Sequence, residues 1–97
     1  MLERNWQAGF IEDIRAALPG CYIIKTSANY IQGFPDLLVL YKNRWAALEC
    51  KRSNNAAKQV NQEYYVGQLN DLSFSAFVSY QNQEEILHEL QQAFRDS

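Results

Sequence analysis

Cysteine and histidine are scarce in this 97-residue chain, which has only Cys21, Cys50 and His88. Two cysteines make no disulfide framework. Two cysteines and one histidine cannot close a structural zinc site either. Each cysteine stands in an apolar, strand-like run, where a free thiol behaves as a small hydrophobe. Long hydrophobic stretches are missing too: no run approaches the roughly 20 apolar residues of a membrane span. The opening MLERNWQ lacks the apolar segment of a signal peptide. The expectation is a reduced, cytoplasmic protein without a membrane segment. Strong charge of one sign is also lacking. Nine Lys and Arg against eleven Asp and Glu leave a net −2, which speaks against a general nucleic-acid coat protein, usually basic. There is no internal repeat, low-complexity tract or interdomain linker.

What is present suits one globular domain. Hydrophobic residues make up 47% and charged residues 21%, an ordinary balance for a layered core. A chain this short has little stability to spare, which favours a homodimer. Trp6, Phe10, Ile14 and Leu18 recur at helical spacing, so a helix is expected over Leu2–Leu18, ended by Pro19-Gly20. Apolar, β-branched CYIIK predicts a strand over Cys21–Lys25. A polar loop covers Thr26–Gly33. Pro35–Tyr41 and Trp45–Lys51 predict a hairpin around the turn Lys42–Arg44, with Pro35 at a strand start, where proline is tolerated. After the connection Arg52–Ala57, a helix is expected over Lys58–Leu72, with Val60, Tyr64 and Leu69 near one face. SFSAFVSY predicts a strand over Ser73–Tyr80, and Ile86, Leu87, Leu90 and Phe94 mark a helix over Gln83–Phe94. The fold class is α/β in the order αβββαβα, with a small mixed sheet flanked by helices.

The hairpin carries its charges at one end. Asp36 opens its first strand, and Glu49-Cys50-Lys51 closes its second. Ionised groups beside a core are costly unless they pair or bind a metal. Strand alternation puts Glu49 and Lys51 on one face and Cys50 on the other. With Lys42-Asn43 as a two-residue loop, Tyr41 pairs with Arg44 and Asp36 falls opposite Glu49; a register two residues along puts it opposite Lys51. In either register the three share a face, and directly opposed residues have Cβ atoms about 4.5–5.5 Å apart. Two carboxylates that close call for positive charge between them, supplied by Lys51 or by a divalent cation. Mg²⁺ is hard, prefers oxygen and takes one or two carboxylates with waters and substrate phosphate. Such a cation lowers the pKa of a bound water for in-line attack on a phosphodiester. The lysine would position that water or stabilise the developing charge.

Each residue alone has an ordinary reading. Asp36 after proline suits a turn. Glu49 and Lys51 suit a solvated edge, with lysine as a guard. His88 reads as surface. The cluster Lys51, Arg52 and Lys58 reads singly as a solvated turn. Beside a metal site it becomes a phosphate-contact rim, effective within a screening length although the total charge is acidic.

Pro35-Asp36, twelve intervening residues, then Glu49-Cys50-Lys51 resembles the PD-(D/E)xK nuclease motif. The element order resembles the αβββαβ core of that superfamily, and the stretches GFPDLLVLY, WAALECK and NQEYYVGQLNDLSFSAF are similar to small phage-type resolvase-like and VRR-NUC endonucleases. The resemblance covers nearly the whole chain. It implies a Mg²⁺- or Mn²⁺-dependent endodeoxyribonuclease, with Asp36 and Glu49 on the metal and Lys51 assisting the attacking water. It also implies a further acid from the first helix, where Glu3 and Glu12 compete and Glu3 lies on the sheet-facing stripe. A polar residue on the helix after the ExK strand is expected as well, Gln62 first and Gln59 second. Lys25 and Gln32, flanking the loop before Pro35-Asp36, are placed to touch DNA, as are Arg52 and Lys58. The substrate implied is branched DNA such as a Holliday junction, cut by a homodimer. A flap- or nick-processing nuclease and a non-catalytic DNA-binding module on the same fold are the alternatives.

Overall fold

The computed structural model describes residues 3–27 and 29–95, with side chains from Asn5 onward. It contains α1 (Glu3–Ala17), β1 (Tyr22–Lys25), β2 (Leu37–Tyr41), β3 (Arg44–Cys50), α2 (Gln62–Leu72), β4 (Phe74–Val78) and α3 (Gln83–Arg95). The four strands form one mixed sheet in the order β1-β2-β3-β4. β1–β2 and β2–β3 are antiparallel, whereas β3–β4 is parallel and needs the crossover through α2. No helix among the described residues is long and apolar enough to cross a membrane.

Periodicity decides which side each residue faces. Trp6, Phe10 and Ile14 form one buried stripe of α1, continued by Leu18 just past its end, with Ile11 beside it. Ile86, Leu90 and Phe94 form the stripe of α3. Both pack on the sheet face that carries Leu37, Val39, Ala46, Leu48, Cys50 and Val78. Trp6 stacks on Phe10 with centroids 5.2 Å apart, and Tyr41 stacks on Phe94 at 5.9 Å. α1 stops where Pro19-Gly20 predicts. Gly20 takes a φ of 90°, and Cys21 N donates to Leu18 O at 3.0 Å. The opposite face of β3 and β4 is covered by α2.

The hairpin has the two-residue loop Lys42-Asn43, with Tyr41 paired to Arg44 and Leu37 to Leu48. Lys42 takes a left-handed φ of 56° there. β3 is buried from Ala46 to Cys50, because it is central and covered on both faces.

Three expectations need correction. β2 begins at Leu37, not Pro35, and Asp36 sits in a bend before it; proline has no N–H for the ladder. α2 begins at Gln62, not Lys58. Asn61 takes a left-handed φ of 72°, which breaks the helical path, so Lys58 and Gln59 lie in the preceding loop. The buried face of α2 is then Gln62 and Val66, with Tyr65 and Leu69 half-buried. Val60 and Tyr64, expected on that face, are 69% and 62% exposed.

Candidate functional site

Gly33 fixes one wall of the site. Its φ is +87°, a conformation that disfavours any side chain. A Cβ there would lie 2.7 Å from Val60 O and 2.8 Å from Asn61 Cβ. The loop before β2 and the loop before α2 therefore meet backbone to backbone. Together with the ends of β2 and β3 they enclose a cleft of about 360 Å³, whose lining includes Asp36, Glu49, Gln59 and Gln62.

Asp36 is held by four contacts around the bend. Thr26 N donates to Asp36 O at 3.0 Å, and Thr26 Oγ1 donates to Pro35 O at 2.7 Å. The carboxylate accepts from Cys50 N at 3.0 Å and from Gln7 Nε2 of α1 at 3.4 Å. Because the bend frees Asp36 from the pleat, its carboxylate also reaches toward α1. It does not stand in a simple row with Glu49 and Lys51, as strand alternation had suggested. The hairpin pairing, carried one step past Leu37–Leu48, still brings Asp36 opposite Glu49.

Among the described residues Glu49 is the most deeply placed charged group, at 6% exposure. Gln62 reaches it from α2: Gln62 Nε2 donates to Glu49 Oε2 at 3.1 Å. The same amide's Oε1 accepts from Lys51 Nζ at 2.6 Å and from Gln59 N at 2.7 Å. Lys51 Nζ also donates to Ala57 O at 3.2 Å. Gln62 thus links the acid and the lysine of the ExK segment and ties down the start of its own helix. This buried amide has every polar atom engaged, which fixes its orientation.

Burial pushes the Cys50 thiol well above its ordinary pKa, and the Asp36 carboxylate beside it adds to the shift. Cys50 therefore stays a neutral core thiol.

The remaining expected residues scatter. Gln32 lines the cleft. Lys58 stands over the Phe77 ring at 4.8 Å. Lys25, at the end of β1, and Arg52 are exposed. Glu12 is exposed and paired with Arg15 at 2.5 Å, so its side of α1 faces solvent and not the cleft. The side chain of Glu3 lies outside the described residues. Among the described residues there is no group of three or more His, Cys, Asp or Glu that could hold a metal. Thr26 and Gln7 were not expected at the site. Gln7 stands one turn after Glu3 on the sheet-facing side of α1, which was its only signal. Thr26 carried none, because its role depends on β1 pairing with β2.

The arrangement can do specific chemistry. Two carboxylates at the edge of one cleft supply the oxygen donors that a hard divalent cation takes, with waters and phosphate completing its shell. A lysine held beside them supplies an N–H donor for an anion. Comparison with family models, with curated proteins and with solved structures returns no match.

Proposed function

We propose that the protein is a metal-dependent endodeoxyribonuclease of the PD-(D/E)xK kind. The observation that carries this reading is the Glu49–Gln62–Lys51 chain of hydrogen bonds in the cleft that Asp36 lines. In a merely solvated sheet edge, these groups would have no reason to be buried and bonded in series. Asp36 and Glu49 would hold Mg²⁺ or Mn²⁺, and their all-oxygen donor set suits such a hard cation. When bound, the cation supplies Lewis acidity to a phosphodiester and lowers the pKa of a water. Gln62 holds Lys51 in place. The Lys51 ammonium, two of whose N–H groups are spent on Gln62 and Ala57, brings its positive charge to the acids and to a bound phosphate. Gln7 and Cys50 N keep the Asp36 carboxylate at the mouth of the cleft.

The substrate proposed is branched DNA cut by a homodimer. A chain of this size has little room to read bases and would recognise shape and backbone. One observation favours a second reading. The Asp36 carboxylate bonds a backbone N–H of β3, which is also what a purely structural aspartate does. On that reading the protein is a DNA-binding module without turnover.

The deciding experiment is cleavage of labelled four-way, flap and linear duplex DNA with Mg²⁺, Mn²⁺ or EDTA, by wild type and Glu49→Gln. Metal-dependent cutting lost in the variant supports the nuclease. Binding without cutting in either metal supports the module.

A further inference from the structure

The Lys51–Gln62 hydrogen bond has a second side. Beyond it, at the carboxyl ends of the parallel strands β3 and β4, lies a separate cavity of about 150 Å³. Its lining includes Lys51, Ser53, Asn54, Lys58, Phe77 and Ser79. The carboxyl ends of parallel strands are where open α/β sheets take their ligands.

The walls are built, not loose. Lys51 N donates to Val78 O at 2.8 Å and extends the β3–β4 ladder. The buried Ser79 hydroxyl donates to Asn54 Oδ1 at 2.5 Å. Asn54 N donates to Gln81 Oε1 at 2.7 Å, and Ser79 N donates to Asn82 Oδ1 at 2.8 Å. These bonds consume the side-chain amide oxygens of Asn54 and Asn82 in the lining, and what remains toward the cavity is donor-rich. The Asn54 amide nitrogen, the Lys58 ammonium and the third N–H of Lys51 have no hydrogen-bond partner among the described residues. No carboxylate belongs to the lining. The volume corresponds to roughly five waters at about 30 Å³ each, enough for a phosphate group with part of its hydration but not for a nucleoside.

The position relative to the cleft is set by register. Phe77 is the cross-strand partner of Glu49, and Lys58 Nζ stands 4.8 Å above its ring. Neighbouring strands are about 4.8 Å apart. Lys58 is therefore one strand over from the acid, and Lys51, which lines this cavity, bonds the Gln62 amide of the cleft, so the two sites adjoin. We propose that this cavity is a second phosphate subsite, holding the nucleic-acid phosphate next to the one in the Asp36–Glu49 cleft, with Lys58 and Asn54 as its donors and Lys51 shared by both. The proposal rests on the nuclease reading of the cleft, and it gives the bound strand a direction, from the cleft across Lys51 toward β4.

The test is phosphate neutralisation. A labelled four-way junction is prepared as a series, each member with one backbone phosphate near the exchange point replaced by a neutral methylphosphonate. Affinity is measured for wild type, Lys58→Ala and Lys58→Arg in EDTA over a range of salt, and the bond cut is mapped separately in Mg²⁺. Lys58 is exposed and its removal leaves the fold intact. At one position, neutralisation and Lys58→Ala each lower the salt slope by about 1 and together lower it no further. That position adjoins the cut bond, and Lys58→Arg behaves as wild type. Losses that add at every position, or a coincidence several nucleotides from the cut, overturn the subsite, as does a wild type that binds no DNA. Binding with the coincident position but no cleavage overturns the nuclease reading, and with it the adjacency to a cut bond, and leaves Lys58 as a plain phosphate contact.

Discussion

The side-chain amide of Gln62 donates to the Glu49 carboxylate at 3.1 Å, from the first residue of α2 to the second-last residue of β3. Both residues are buried, Gln62 at 8% and Glu49 at 6% exposure. A helix start is thereby fastened to the acid of the ExK segment, and under the proposed nuclease function stability and activity are coupled at one amide.

Gln62→Ala removes a hydrogen bond from the buried Glu49 carboxylate and from the Lys51 ammonium. The loss of a hydrogen-bond partner to a buried polar group costs about 1–3 kcal/mol. Removing a side chain that orients catalytic groups typically costs about 10–100-fold in activity. Urea unfolding reads the first and junction cleavage the second. A variant as stable and as active as wild type would show that the Glu49–Gln62–Lys51 chain has no role.

Gly33 and Gly9 make opposite forecasts for the same substitution. Gly33→Ala combines a φ of +87° with a contact of 2.7 Å to the Val60 carbonyl. Strain of this kind costs of order 1–3 kcal/mol, and the loop that carries Lys58 and Gln59 must shift. Gly9 lies inside α1 with nothing within 4 Å of its would-be Cβ. Gly9→Ala stabilises by about 0.5–1 kcal/mol through helix propensity and chain entropy. Denaturant midpoints of the two variants should move in opposite directions.

Cys50 makes a pH forecast. Its thiol is raised above the ordinary value by burial and by Asp36, so the folded state prefers the protonated form. Its contribution to stability is whole below the unfolded thiol pKa, near about 8.5, and is lost as the pH rises above that value. Urea unfolding from pH 7 to 10 should show a steeper alkaline decline for wild type than for Cys50→Ala. A thiol reagent at pH 8 should leave Cys50 unmodified until the protein unfolds.

Leu90 has no exposed surface and sits in the cluster between α3 and the sheet. Leu90→Ala should cost about 2–5 kcal/mol, a large share of the total for a 97-residue domain. Thermal and urea unfolding measure it. A loss under 1 kcal/mol would mean that α3 is not essential to the core.

Much of the fold was legible because the signals are local. The stripe from Trp6 to Leu18, the stop at Pro19-Gly20 and the two-residue turn at Lys42-Asn43 each depend on neighbours within a few residues. The same is true of the pairing of Tyr41 with Arg44, which brings Asp36 opposite Glu49. The start of α2 was misplaced for a complementary reason. Residues Lys58 to Val60 carry no helix breaker of their own. What diverts them is the left-handed Asn61, the Gln62 side chain accepting from Gln59 N, and Gly33 lying against Val60 from far away in sequence.

The sequence by itself determined the element order, the hairpin and the gathering of Asp36, Glu49 and Lys51 at one end of it, with two registers still possible; the structure selects the one that pairs Tyr41 with Arg44. Alternation and turn length are properties of short segments. Only the tertiary structure decided which side chains join them. Gln62 meets Glu49 because α2 crosses over the β3–β4 pair, Gln7 meets Asp36 because α1 packs on the other face, and Thr26 holds the bend because β1 pairs with β2. Those meetings depend on how separate elements dock, and hydrophobic burial, which no single segment encodes, sets that docking.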